Sequence, residues 1–346
     1  PLQFDEVSFL QRLIAIPSCD PPGGELEVAK IVHQEMLDFG LESELEEFLP
    51  RRAIVIGRLR GRGTKKPLVP SAHLDTLPAG DQPWSFDPFS GEVVDGRIRG
   101  RGASDMKSAV STFIGAALRL QERDVPLAGD LILAFTAGES ANCLGAKRLV
   151  EKGFQNEIGA FLCGEPSTLD IVVVEKAILW LEATAKGELG HVSGVGGINA
   201  IDLMASFLAS LKSVRFDLPD HPLLTPASVN VGRIWGGTAV NVTPDLCRAE
   251  IDVRFGPGTE IGIVLDQIRP LAPDGVSLRI TDFKPAVEEK PDSAFVSICS
   301  NAIKDRTGKE PAIKGVSYYS DGAILLDGLS GVPFAIVGPG DLGGSG

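Results

Sequence analysis

Four side chains carry most of the chemistry this sequence can offer. They are His73 in "SAHLDT", Asp105 in "GASDMK", Glu139 in "TAGESANCLGA" and Glu165 in "CGEPS". Each follows an apolar run or opens a helix beside one. In open α/β sheets the strand ends share one edge, where sites are built, so this placement draws three carboxylates and an imidazole together. Carboxylates that converge repel one another and lose solvation, and a cation is the usual reason to tolerate them. Nitrogen plus carboxylate donors suit Zn²⁺, with Co²⁺ or Mn²⁺ also acceptable. Asp75 follows His73 by two residues, and an acid so close can accept the second ring N–H, fixing the tautomer. The same spacing also fits separate surface acids that cap helices, with His73 and Asp75 as a pair capping the core. Of the other histidines, His33 lies on an amphipathic stretch and His221 in "PDHPLL", and both read as ordinary surface residues.

Around these residues the apolar spacing predicts helices at "FDEVSFLQRLIAI" and "EVAKIVHQEMLDFG", the second closed by Gly40. Strands follow at "RAIVIGRL" and "PLVPSAHLDT", then a hairpin turning at Asp95-Gly96. "DMKSAVSTFIGAALRLQER" is a long helix with Asp105 at its N-terminal end, "DLILAFTA" a buried strand, "LGAKRLVEKG" a helix and "GAFLCGEPS" a strand stopping at an acid. The alternation argues an α/β fold, a mainly parallel sheet with flanking helices. Near Val174 the texture changes. "AILWLEATAKGE", "PASVNVGRIWGG" and "LCRAEIDVRFG" alternate like half-exposed antiparallel strands, with helices at "INAIDLMASFLASLKS" and "EIGIVLDQIRPLA". The helix "DSAFVSICSNAIKDRTG" and the strand "VPFAIVGPG" then resume the first texture. We therefore expect a catalytic α/β domain over 1–176 and 289–346, interrupted by a smaller inserted α+β domain over 177–288. Pro70 conflicts locally, because it cannot donate to a sheet ladder and so implies an edge position or a bulge.

Composition narrows the partners. The chain has 346 residues and a formal net charge of −13, and no Lys/Arg run with interleaved aromatics occurs, which argues against nucleic acid. Five cysteines, odd in number and without a CxxC pair, read as reduced thiols of a cytoplasmic protein. No apolar run is long enough to span a membrane and no signal pattern opens the chain. The ends "PLQFDEV" and "GPGDLGGSG" read as those of a trimmed piece.

The motifs "SAHLDTLPAG", "GRGASDMKSAV", "TAGESANCLGA", "CGEPS", "GELGHVSGVGGINAI", "NVTPDLCRAEIDVR" and "VGPGDL" run in order through nearly the whole chain. Together they resemble the metallopeptidase and deacylase family of acetylornithine deacetylase, succinyl-diaminopimelate desuccinylase, aminoacylase and glutamate carboxypeptidase. The resemblance implies a zinc exopeptidase-like fold and a co-catalytic zinc pair in the α/β domain. It implies a homodimer formed through the inserted domain. His73, Asp105 and Glu165 would hold the first metal, Asp105 bridging to the second, and Asp75 would orient His73. Glu139 would be the general base for a metal-activated water. His191 matches a histidine that reaches the other subunit's site and stabilises the oxyanion. Asn241 and Arg254 match residues that contact the substrate carboxylate or oxyanion.

Two departures stand out. Alignment on Leu144-Gly145 puts Ser140 where the family has the second metal's carboxylate. The other ligand private to that metal is a His shortly after "GPGD", whereas here Asp341 is followed by "LGGSG". Losing one anionic ligand from a four-ligand site weakens it greatly, so one metal per chain is expected. The resulting expectation is an amidohydrolase that cleaves the amide of an N-acyl amino acid. Alternatives are a dipeptidase or carboxypeptidase of the same family, or a silent homologue that binds acylated amino acids. Gly138, where relatives carry Asp, favours the last of these with Ser140. A nucleotide-binding protein is suggested only by "RIRGRGASD", which lacks GxGxxG and a Walker lysine.

Overall fold

The computed structural model describes residues 4–81, 83–140, 142–191, 193–194 and 197–340. The chain divides into two compact units. The first comprises 1–174, 288–314 and 320–346, and the second 175–287 with 315–319. The short return Gly315–Tyr319 thus leaves the segment 289–346 expected for the first domain. Contacts inside the second unit show why: Arg254 Nη1 donates to Ser317 O at 2.7 Å and the Lys284 ammonium lies 4.5 Å from the Tyr319 ring centroid.

The first unit is built on a sheet ordered Glu42–Leu49, Arg52–Leu59, Leu131–Thr136, Leu68–His73, Ala160–Cys163, Phe334–Ile336, Ile171–Glu175 and Val287–Glu288, with Ile313–Val316 also pairing Ile171–Glu175. The four strands from Leu131–Thr136 to Phe334–Ile336 run parallel, and the flanking pairs are antiparallel. Sequence patterning explains the placement. "LILAFT" is buried at every position, as a central strand covered on both faces requires. Each of its large apolar side chains contributes about 2 kcal/mol by leaving water. "ESELEEFL", by contrast, is an acid-rich edge strand that the hydrophobic pattern does not reveal. Its charges discourage pairing with another chain.

Pro70 is neither at an edge nor in a bulge. Its strand lies in the middle of the sheet, where Pro70 stands opposite Leu162. Toward Leu131–Thr136 the ladder runs Leu68–Leu131 and Ser71–Ala134, skipping Val69 and Pro70 without an offset. The missing N–H costs a gap in one ladder and leaves the register intact. The expected hairpin forms between Val93–Val94 and Arg97–Ile98, and Asp95 and Gly96 both adopt the positive φ that its tight turn needs.

The helix Lys107–Glu122 packs against Leu68–His73 and against the first helix, Glu6–Ile14. Lys107 joins the two helices: its buried Nζ donates to Leu13 O at 2.9 Å and Ile16 O at 2.8 Å, closing the end of the first helix. Burial lowers its pKa to about 7. Lys107→Met keeps the side-chain length but strands both carbonyls, so a loss of about 2 kcal/mol in unfolding free energy is expected from urea melts. Unchanged stability would mean that water replaces the ammonium.

The second unit carries a four-stranded antiparallel sheet ordered Ser228–Gly236, Leu246–Phe255, Ala177–Lys186 and Val276–Lys284. The two inner strands alternate buried and half-buried residues. Their inward side chains, with Met204, Phe207 and Leu211 of the helix Ala200–Lys212 and Val264, Leu265 and Ile268 of the helix Ile261–Ile268, form this unit's core.

Candidate metal centre and its surroundings

Register sets the site. His73 ends its strand opposite Thr136, and Ser71 stands opposite Cys163. Glu139 lies three residues beyond Thr136, and Glu165 two beyond Cys163, so both emerge at the same sheet edge as His73. Asp105 comes from the turn ahead of the helix Lys107–Glu122. The structure brings His73, Asp105 and Glu165 together: one donor atom from each lies within 4.8 Å of the others. His73 Nε2 is 3.0 Å from Asp105 Oδ1 and 3.5 Å from Glu165 Oε1.

On the opposite ring nitrogen, Nδ1 lies 2.9 Å from the backbone carbonyl of Asp75 and 3.8 Å from its carboxylate. A carbonyl can only accept, so Nδ1 carries a proton; a second proton on Nε2 serves the Asp105 carboxylate in the same way, and its loss would free the Nε2 lone pair for a cation. Asp75 therefore holds the ring through its main chain. Its buried carboxylate instead accepts the backbone N–H groups of Glu139 at 3.1 Å and Ser140 at 3.2 Å, and the Ser140 hydroxyl at 2.9 Å.

The electrostatics agree with a cation-binding pocket. Burial alone would pull His73 down, but Asp75, Glu165 and Asp105 outweigh it and hold the ring's pKa well above its ordinary value. Burial opposes the charge of Asp105, yet the His73 hydrogen bond and nearby Arg101 keep its carboxyl below the usual range. Glu139 is pushed well up, first by burial and then by Glu165, Asp321 and Asp75, against the pull of His73. One imidazole nitrogen and two carboxylates, with further carboxylate charge beside them, fit a divalent metal, and the donor set suits zinc.

The structure adds residues that the motifs did not single out. Asp321 is buried, takes a hydrogen bond from the Thr136 hydroxyl, and has its pKa raised mainly by burial. Asp20, Glu25 and Arg52 form a buried ionic group beside Asp75. In the second unit, Asn241 Nδ2 lies 3.3 Å from His191 Nε2, and both side chains are exposed. Arg254 is held by Asp252, through Nε at 3.0 Å and Nη2 at 2.9 Å, and by Ser317 O. His33 bonds Ser43 Oγ at 2.8 Å, a satisfied histidine. The segment after Gly340, where the resemblance would place a further histidine ligand, lies outside the described residues.

A parallel α/β sheet whose strand ends gather a histidine and acidic residues defines a metal-dependent hydrolase. Comparison with known proteins gives the class its family. The model of Peptidase family M20/M25/M40 matches residues 70–345, and the chain belongs to that family. A succinyl-diaminopimelate desuccinylase from a Caulobacter species is 29% identical over 361 residues, covering 98% of this chain and 89% of the relative. Among solved structures, the metallo-carboxypeptidase Sso-CP2 from Sulfolobus solfataricus superposes with a TM-score of 0.80 at 18% identity, covering 96% of this chain and 91% of that one. YXEP from Bacillus subtilis, described as a dinuclear metal-binding peptidase, superposes with a TM-score of 0.70 at 19% identity, with coverage of 97% and 88%. The chain is thus a hydrolytic enzyme of a metal-dependent family. None of its five cysteines is in a disulfide, and among the described residues no helix is long and apolar enough to cross a membrane.

Proposed function

We propose that this enzyme removes the acyl group from an N-acyl amino acid, releasing a carboxylate and a free amine. The observation that carries the chemistry is the convergence of His73, Asp105 and Glu165 within 4.8 Å. Glu139 belongs to the same group of charges. The desuccinylase relatives support the acyl amino acid as substrate class. A zinc ion held by His73, Asp105 and Glu165 would polarise the amide carbonyl and make a water acidic enough to attack near neutral pH. Glu139 would take a proton from the attacking water and hand it to the departing amine. The raised pKa of Glu139 suits it to hold that proton between the two steps. Asp75 keeps the Nδ1 proton of His73 in place through its carbonyl and fixes the turn of Glu139 through its carboxylate.

His191 and Asn241 are proposed as donors to the oxyanion, and Asn241 and Arg254 as partners of the substrate carboxylate. Both assignments rest on resemblance, and the 3.3 Å approach of His191 to Asn241 supports the first. One zinc per chain is proposed, because Ser140 replaces a carboxylate and commits its hydroxyl to Asp75. A homodimer through the second unit belongs to the same reading. The edge strand Ser228–Gly236 exposes Ile234 and Trp235, which supports it, and five cysteines without a disulfide suit a reducing compartment such as the cytoplasm.

The test is a rate comparison on zinc-loaded protein with N-succinyl and N-acetyl amino acids and with dipeptides. Higher kcat/KM on the N-acyl amino acids is expected. Preference for dipeptides would move the enzyme to the peptidase reading. No turnover of any of them with metal bound would contradict the deacylase reading and favour a silent binder.

A further inference from the structure

The turn that carries Glu139 is held by three successive amides. Gly138 N–H donates to Glu25 Oε1 at 3.0 Å, and the next two amides donate to the two oxygens of Asp75. The Ser140 hydroxyl reaches Asp75 Oδ2 at 2.9 Å and lies 3.4 Å from Asp20 Oδ2. Behind this turn stands the guanidinium of Arg52. Its Nη2 donates to Asp20 Oδ1 at 2.7 Å, and its Nη1 to Asp20 Oδ2 at 3.1 Å and Glu25 Oε1 at 3.0 Å. Nη2 also reaches Pro22 O at 3.2 Å.

Asp20, Glu25 and Asp75 are all buried, with oxygens within 4.8 Å of one another, so the positive charge of Arg52 is what lets them stay close. The planar fork matters, because it bonds Asp20 through two nitrogens and Glu25 through one of them. Room for it comes from two glycines. A Cβ on Gly138 would sit 2.6 Å from Arg52 Nη1, and one on Gly23 would sit 2.4 Å from Arg52 Cζ. Both have positive φ, +67° and +93°, so side chains there are unwelcome twice over.

We propose that Arg52 is a positioning residue for Glu139. With Asp20 and Glu25 it forms a buried clamp that fixes the amides of 138–140 and, through them, the carboxylate that moves the proton. The assignment rests on the reading of Glu139 as general base. A carboxylate displaced by about 1 Å can lose about 100-fold in rate. The clamp contributes through geometry and leaves His73, Asp105 and Glu165 untouched.

The test uses zinc-loaded Arg52→Lys, Arg52→Met and Glu25→Leu, with kcat, KM and metal content measured on each. Arg52→Met is expected to lower kcat about 100-fold with KM and metal content within twofold of the parent, and Arg52→Lys to recover about tenfold of the loss. A merely structural role would move metal content and KM together with kcat. In a Glu139→Gln background, Arg52→Lys is expected to cost nothing further, since the group it positions is gone. Full activity in Glu139→Gln alone would defeat the general-base reading. An inactive Glu139→Gln together with unchanged kcat in Arg52→Lys would defeat the clamp alone. If the Arg52 variants do not fold, Glu25→Leu decides: it keeps about the same volume but removes the oxygen that accepts from both Gly138 N–H and Arg52 Nη1, and an unchanged kcat overturns the proposal.

Discussion

Glu139→Gln is expected to lower kcat by about 10³-fold or more while zinc content stays at the parent level. Positioned proton transfer contributes on the order of 10²–10⁴ in rate, and Gln is nearly isosteric but cannot accept the proton. The substitution leaves His73 Nε2 and the Asp105 and Glu165 carboxylates in place, and these are the atoms gathered within 4.8 Å. The backbone N–H of residue 139 can still donate to Asp75. KM therefore changes little, and the loss falls on kcat. Activity within tenfold of the parent would mean that another group moves the proton, and buried Asp321 would be the first to examine.

His73→Ala is expected to abolish both zinc retention and activity, and to destabilise the protein as well. The imidazole is buried between Asp105 and Glu165 on one side and the Asp75 carbonyl on the other. Truncation leaves carboxylates crowded together with neither metal nor imidazole between them. Removing one member of a buried charged pair costs about 3–5 kcal/mol. A lower thermal midpoint by calorimetry, and metal content near zero after reload, are the expected results. Chelation of the parent protein gives the comparison: it removes activity that zinc restores, whereas zinc restores nothing in His73→Ala. A variant that still binds zinc with parental activity would place the metal elsewhere.

The residues legible in the sequence share one property. His73, Glu139 and Glu165 each follow a short, largely apolar run, so strand and strand end announce each other. Asp105 opens a long amphipathic helix. The second layer had no such signal. Asp20 and Glu25 lie in "CDPPGGE", where no periodicity marks a partner. Arg52 opens a strand, and nothing in that strand marks it as the partner of Asp20 and Glu25, which come from the loop before the preceding helix and its first turn. Asp321 precedes a helix of only four residues, too short to show a pattern. Asp75 shows a subtler limit. Its proximity to His73 was legible, but which of its oxygens faces the ring depends on the turn 138–140, some sixty residues away. The return of Gly315–Tyr319 to the second unit depends likewise on a distant arginine, Arg254.

A metal held by His73, Asp105 and Glu165 is expected to drive the reaction. The most direct measurement is a titration of the metal-free protein with zinc, reading N-acyl amino acid hydrolysis at each step. Activity is predicted to rise linearly and reach its plateau at about one zinc per chain. Activity that appears only with a second equivalent would contradict the single-metal site, and hydrolysis that ignores zinc altogether would contradict the metal's role itself.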